Sequence, residues 1–171
     1  MSIEMSDIIK TLILDIVGEE FCVFICSMLP IIELRGAIPM AFVFGIEWWR
    51  AYIISVIGNL LPVPVILVLI NAVIKWMAAS KVKFFNKVAD FLLSRVEKNR
   101  ARIEKYSFWG LCLFVAIPLP ATGAWTGSLV AAVIGMKPHK AFLSALLGVL
   151  LAGAVVTLIV YGGIGFLAWL I

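Results

Sequence analysis

The decapeptide Pro30-Ile31-Ile32-Glu33-Leu34-Arg35-Gly36-Ala37-Ile38-Pro39 breaks an otherwise apolar run from Phe21 to Ile46 with two prolines and two opposite charges. A helix crossing a bilayer straight through this stretch would carry a carboxylate and a guanidinium at its centre, where each is expensive. Proline ends helices where backbone bonding must stop, and glycine admits a left-handed turn. The pattern therefore predicts a re-entrant hairpin that enters and leaves on one face, with Pro30 and Pro39 bracketing its tip and Gly36 turning it. A second run, Phe108 to Met136, is broken in the same way by Ile117-Pro118-Leu119-Pro120-Ala121-Thr122-Gly123-Ala124-Trp125-Thr126-Gly127.

Such breaks matter only if the surroundings are hydrocarbon, and composition decides that they are. Of 171 residues, 64% are hydrophobic and 14% charged, against roughly 45–50% and about 25% in soluble domains; mean hydropathy is +1.14. A soluble globule of this length has too little interior to hide so much apolar side chain. The expected class is an all-α integral membrane protein, multi-pass, in an inner (plasma) membrane. Nucleotide loops, zinc spacings, a Ser–His pairing and haem signatures do not occur, so no cofactor, no ATP-driven pumping and no enzyme are expected. Cys22, Cys26 and Cys112 stand in apolar runs and read as small packing residues. The acidic first residues, with no small-residue cleavage site behind them, do not read as a cleavable signal peptide.

Along the chain, residues 1–20 hold an amphipathic segment expected to lie at the interface. Residues 21–75 are the first broken run plus a span from Tyr52 to Ile74, which Asn59, Pro62 and Pro64 interrupt. Residues 76–107 form a basic amphipathic linker helix on the cytoplasmic leaflet, or a solvated charged connector. Residues 108–161 are the second broken run plus a span from Ala141 to Tyr161, and 162–171 are a short tail. The halves are alike. Sliding residues 30–70 by 90 positions without a gap matches nine of 41, among them Pro30/Pro120, Ala41/Ala131, Gly45/Gly135, Ala51/Ala141 and Gly58/Gly148. Internal repeats of this kind are a common transporter plan.

Charge chooses between two topologies. Residues 75–105 carry nine Lys and Arg against three carboxylates, and residues 1–20 carry five carboxylates against Lys10. Four full crossings would put Lys137 and Lys140 outside with the acidic N-terminus inside. Two re-entrant hairpins place Lys137, His139 and Lys140 in the cytoplasm and the acids outside, which the positive-inside rule favours. With one crossing per unit the repeats are inverted, and both tips approach the midplane. Broken backbone at that depth must line a cavity or be buried by protein.

The tips therefore hold the candidate residues. Arg35 offers a planar fork of donors to an anionic head group, and Glu33 is a carboxylate that burial can bring toward neutral titration; alternatively the two form a structural ion pair. The second tip carries no charge but offers Thr122, Thr126, the Trp125 indole and backbone N–H groups at a helix start. The other reading is a kink in a packed helix. Asn59 either lines the same cavity or hydrogen-bonds between helices. Gly58, Gly148 and Gly153 suit close helix contact. Trp48, Trp49, Trp109 and Trp169 suit the interfacial belt.

At Pro30–Pro39 and at Pro118-Leu-Pro120-Ala-Thr122-Gly123-Ala-Trp125-Thr126-Gly-Ser-Leu-Val-Ala131 the sequence resembles the small multidrug export protein family over nearly its whole length. That family is in turn similar to the DedA (SNARE-associated, VTT) membrane proteins with paired re-entrant hairpins. The resemblance implies a small bacterial or archaeal inner-membrane transporter, with Glu33, Arg35, Pro118, Pro120, Thr122 and Gly123 at its motif positions. The DedA likeness implies proton-coupled movement of polyprenyl phosphate or phospholipid, although the second tip lacks the arginine usual there. The expected function is a secondary transporter, ion- or proton-coupled, of an amphiphilic and anionic lipid-phosphate substrate. The alternatives are export of lipophilic drugs and a non-transporting membrane scaffold. Expected partners are membrane lipids, a small amphiphilic substrate and protons, without nucleic acid; a homo-oligomer stays open.

Overall fold

The computed structural model describes residues 18–80, 82, 85, 87, 90, 94, 100–117 and 122–163. The interfacial segment 1–17, much of the basic linker, Pro118, Pro120 and the tail from 164 lie outside the described residues.

Every described element is helical: α1 (Glu19–Met28), α2 (Glu33–Val43), α3 (Trp48–Leu60), α4 (Pro62–Ala79), α5 (Arg100–Ala116), α6 (Ala124–Val133) and α7 (Pro138–Thr157), the last continued by a π-helical turn, Leu158–Gly163. Among the described residues two stretches are long and apolar enough to cross a membrane, Trp48–Ala79 and Pro138–Gly163. The first is longer than the expected span from Tyr52 to Ile74. Its interruption is slight, because Leu61 keeps helical dihedrals and Pro62 takes the first position of α4, where a missing N–H leaves nothing unbonded. Val65, Val68, Leu69, Leu158 and Ile159 are exposed on these two stretches, as apolar side chains facing hydrocarbon would be.

The chain divides into two compact units, Met1–Asn59 with Gly153–Ile171, and Leu60–Ala152. In the first, α1 packs on α2, and α2 also meets the π turn. In the second, α6 packs on α4 and α5.

The offset of 90 residues visible in sequence recurs in the backbone. Helix α2 ends in a Schellman turn, with Gly45 N–H donating to Phe42 O (3.0 Å) and Ile46 N–H to Ala41 O (3.0 Å). Helix α6 ends likewise, with Gly135 N–H to Ala132 O (3.1 Å) and Met136 N–H to Ala131 O (2.9 Å). Gly45 and Gly135 have φ of 74° and 73°, the left-handed geometry this turn requires and glycine alone adopts without strain. Residues 61–70 and 151–160 share one pattern of burial, position for position.

Candidate functional site

Helix α1 stops because Leu29 precedes a proline and is forced extended (φ −76°, ψ 137°), as residues before proline are. The chain turns through Leu29–Ile32 and re-enters helix at once, Glu33 N–H donating to Leu29 O (2.9 Å) and Gly36 N–H to Ile32 O (3.0 Å).

This corrects the expected tip. Pro30 lies in the break, but Arg35, Gly36 and Pro39 lie inside α2, and Pro39 is a proline within the helix. The left-handed residue is Glu33 (φ 49°), whereas Gly36 is helical. The cause is the apolar stripe Leu34, Ala37, Ile38 and Ala41, all buried. These fall at i, i+3, i+4 and i+7, so burying them needs a helix already running at Leu34. Gly36 serves packing instead, since a Cβ there would meet Ile32 Cγ2 at 2.6 Å.

Glu33 is 5% exposed, so its carboxylate is removed from bulk solvent at the mouth of the break. Arg35 is half-buried on the same turn and lies within electrostatic reach of Glu33. Asn59, on α3, is 1% exposed. Its neighbour Gly58 lies flat against the last turn of α1, where a Cβ would collide with Ser27 Oγ and stand 2.7 Å from Phe24 O. Asn59 therefore follows directly on the residue that packs against the last turn of α1. Glu33, Arg35 and Asn59 belong to one unit.

At the second break Thr122 Oγ1 donates to Ile117 O (2.8 Å), so this hydroxyl closes the break across five residues. Gly123 (φ 156°) precedes the first residue of α6, and Trp125 and Thr126 sit half-buried in the first turn. Ala124, Gly127, Ser128 and Ala131 are buried, repeating the stripe of α2 at the same offset.

Gly148 lies against α5, where a Cβ would meet Val115 Cβ at 2.6 Å and Cys112 O at 2.8 Å. Gly153 lies on Tyr52 and Val56, at 2.9 and 3.2 Å. The three glycines are contact residues, as expected. Cys22, Cys26 and Cys112 are all free thiols, and Trp48, Trp49 and Trp109 are exposed. No grouping of His, Cys, Asp and Glu suited to a metal occurs among the described residues.

Two buried side chains escaped the sequence reading, Ser55 and Thr157. Together with Asn59 they hold buried oxygens without a hydrogen-bond partner: Ser55 Oγ, Asn59 Oδ1 and Thr157 Oγ1. A serine four residues before an asparagine in an apolar span was the available signal for the first. Thr157 gave none, because only the π turn behind it sets it apart.

Among the described residues these features define a helical protein with two membrane-length helices, each following a broken helical pair, and with a buried carboxylate at one break. The family model for the putative small multi-drug export protein matches residues 33–155, well over half of the chain, and the protein belongs to that family. No curated protein and no solved structure matches the chain.

Proposed function

We propose that the protein is a secondary transporter that moves an amphiphilic substrate between leaflets, coupled to a cation gradient. The observation that carries this reading is Glu33. A carboxylate held out of solvent, on backbone that a glycine would adopt more readily, is a burden a passive scaffold has no use for. In this reading the two broken pairs are re-entrant hairpins of inverted repeats, spanning the inner membrane with residues 75–105 and Lys137–Lys140 on the cytoplasmic side. The protein is a carrier rather than an enzyme.

Arg35 receives the anionic head group of a lipid phosphate through its fork of donors, and Glu33 is the group whose charge the coupling cation neutralises. Reported family membership favours a second reading, export of lipophilic compounds, in which Glu33 is shared between cation and drug. The test is flux in proteoliposomes under an imposed ion gradient, with a fluorescent polyprenyl or phospholipid phosphate in one arm and a lipophilic cation in the other. Gradient-dependent flux of the phosphate supports the first reading, flux of the cation alone supports the second, and flux of neither removes both.

A further inference from the structure

Unlike the other buried hydroxyls among the described residues, those of Ser55 and Thr157 reach no carbonyl. Ser27 Oγ donates to Phe24 O (2.6 Å), Ser128 Oγ to Ala124 O (2.6 Å) and Ser144 Oγ to Phe108 O (2.5 Å). Ser55 and Asn59 are one turn apart on α3 and are 0% and 1% exposed; Thr157 is 7% exposed. Burying a polar group without a partner costs about 1–3 kcal/mol, and hydrocarbon surroundings offer no water in compensation.

The fold does not demand these oxygens. At the offset of 90 residues, Ser55 answers to Ala145, Asn59 to Val149 and Thr157 to Leu67. Ala145, Val149 and Leu67 are buried as well, so the second unit fills the equivalent positions with apolar side chains. The buried polar side chains among the described residues of that unit, Ser128 and Ser144, are bonded.

The three oxygens follow one seam. At about 100° per residue, Ser55 and Asn59 lie on α3 between the stripe of Gly58, which faces α1, and the stripe of Tyr52 and Val56, which faces Gly153 of α7. From Gly153 the α7 face continues through Thr157 to Tyr161, whose hydroxyl donates to Ile46 O (2.8 Å). Thr157 is thus set against the first turns of α3. Ile46 in turn borders a cleft whose charged lining is Glu19, Glu20, Glu47 and Arg50, and Arg50 is ion-paired with Glu20, so the excess charge there is negative. All these residues belong to the same unit.

We propose that this seam is a binding track for a dehydrated alkali cation, sodium, entering from the cleft beside Ile46 and held at Ser55 and Asn59, in the unit that also holds Glu33. Hydroxyl and amide oxygens cannot hold a proton at neutral pH, but they are the hard neutral ligands a small cation accepts. Helix-break carbonyls and such oxygens are how broken-helix transporters hold sodium in general. The inference deepens the coupling part of the proposed function by naming the ion.

The test uses purified full-length protein in detergent without substrate, so its failure is separate from failure of the flux assay. Melting is followed by tryptophan fluorescence in sodium chloride and in equimolar choline chloride. Sodium is expected to raise the wild-type melting temperature by about 3 °C. Asn59→Val and Ser55→Ala install the residues of the other unit, so they are expected to melt no lower than wild type in choline and to lose the sodium increment. Saturable binding of radioactive sodium to wild type, displaced by unlabelled sodium, is expected independently of any variant. Equal melting of wild type in the two salts, an increment retained in both variants, or absence of saturable binding overturns the proposal.

Discussion

Glu33 and Gly123 hold the same station in the two helical pairs: they stand 90 residues apart, at the start of α2 and α6, and both have positive φ, 49° and 156°. In one unit the position is a glycine near the extended limit (ψ −173°). In the other it is a glutamate in the left-handed region, which a β-carbon makes unfavourable, and its carboxylate is buried besides. Two separate penalties at one residue, both avoided at the equivalent position, are what the proposed coupling role of Glu33 rests on.

Replacing it should therefore separate stability from activity. Glu33→Gly is expected to fold at least as stably as wild type, by about 1 kcal/mol from the relieved backbone, and to lose gradient-driven transport. Melting temperature and proteoliposome uptake check the two halves. A variant that melts well below wild type would show that the carboxylate is part of the scaffold.

How much of this was legible in the sequence depends on which contacts carried it. The membrane class and the position of the first break were readable, because they rest on hydropathy and on Pro30. The tip was misplaced by a few residues because Gly36 and Pro39 look like turn residues, while the stripe from Leu34 to Ala41 outweighs them. The repeat was only half visible for a physical reason. Gly58 rests on Phe24 and Gly148 on Cys112, which sets the outer helices 88 residues apart while the inner ones keep 90. The second break thus holds two more residues than the first, and an ungapped comparison loses the outer helices. Ser55 and Thr157 were invisible because a lone hydroxyl in an apolar helix usually bonds its own backbone; only coordinates reveal that these two do not.

The glycine contacts give a direct check on packing. Gly58→Ala places its Cβ against Ser27 Oγ and the Phe24 carbonyl, and Gly148→Ala against Val115 and the Cys112 carbonyl. Backbone cannot yield as a flexible side chain does, so each is expected to destabilise by about 2 kcal/mol. Gly110→Ala, with nothing within 4 Å of the new carbon, is expected to be neutral or to stabilise by about 0.5 kcal/mol. Melting temperature should drop in Gly58→Ala and Gly148→Ala and hold or rise in Gly110→Ala.

Topology can be read with single cysteines in a background where Cys22, Cys26 and Cys112 are replaced. A cysteine at Lys137 is expected to react only with reagent supplied from the cytoplasm, and one at Glu19 only with reagent supplied from outside. Both positions are exposed, so burial does not hide either. Reaction of the Lys137 site from outside would establish four full crossings and remove the re-entrant arrangement.

The last prediction concerns Arg35 and decides what kind of substrate the site serves. Arg35 is half-buried on the first turn of α2, close enough to Glu33 for the two charges to interact. If its task is only to neutralise Glu33, a lysine supplies the same charge and transport should survive. If it grips a phosphate, the planar fork matters, because an ammonium cannot place two parallel donors on two phosphate oxygens. Losing one such charge-assisted bond is worth about 1.5 kcal/mol, or roughly a tenfold change in apparent affinity. Arg35→Lys is therefore expected to raise KM for a lipid phosphate about tenfold with little change in kcat, the signature of lost binding shared by ground and transition states. The same variant should leave flux of a lipophilic cation unaltered. Initial rates against concentration for both substrate classes, at matched expression, provide the measurement. Unchanged KM for the phosphate would reduce Arg35 to a counter-ion of Glu33 and turn the site toward cationic cargo.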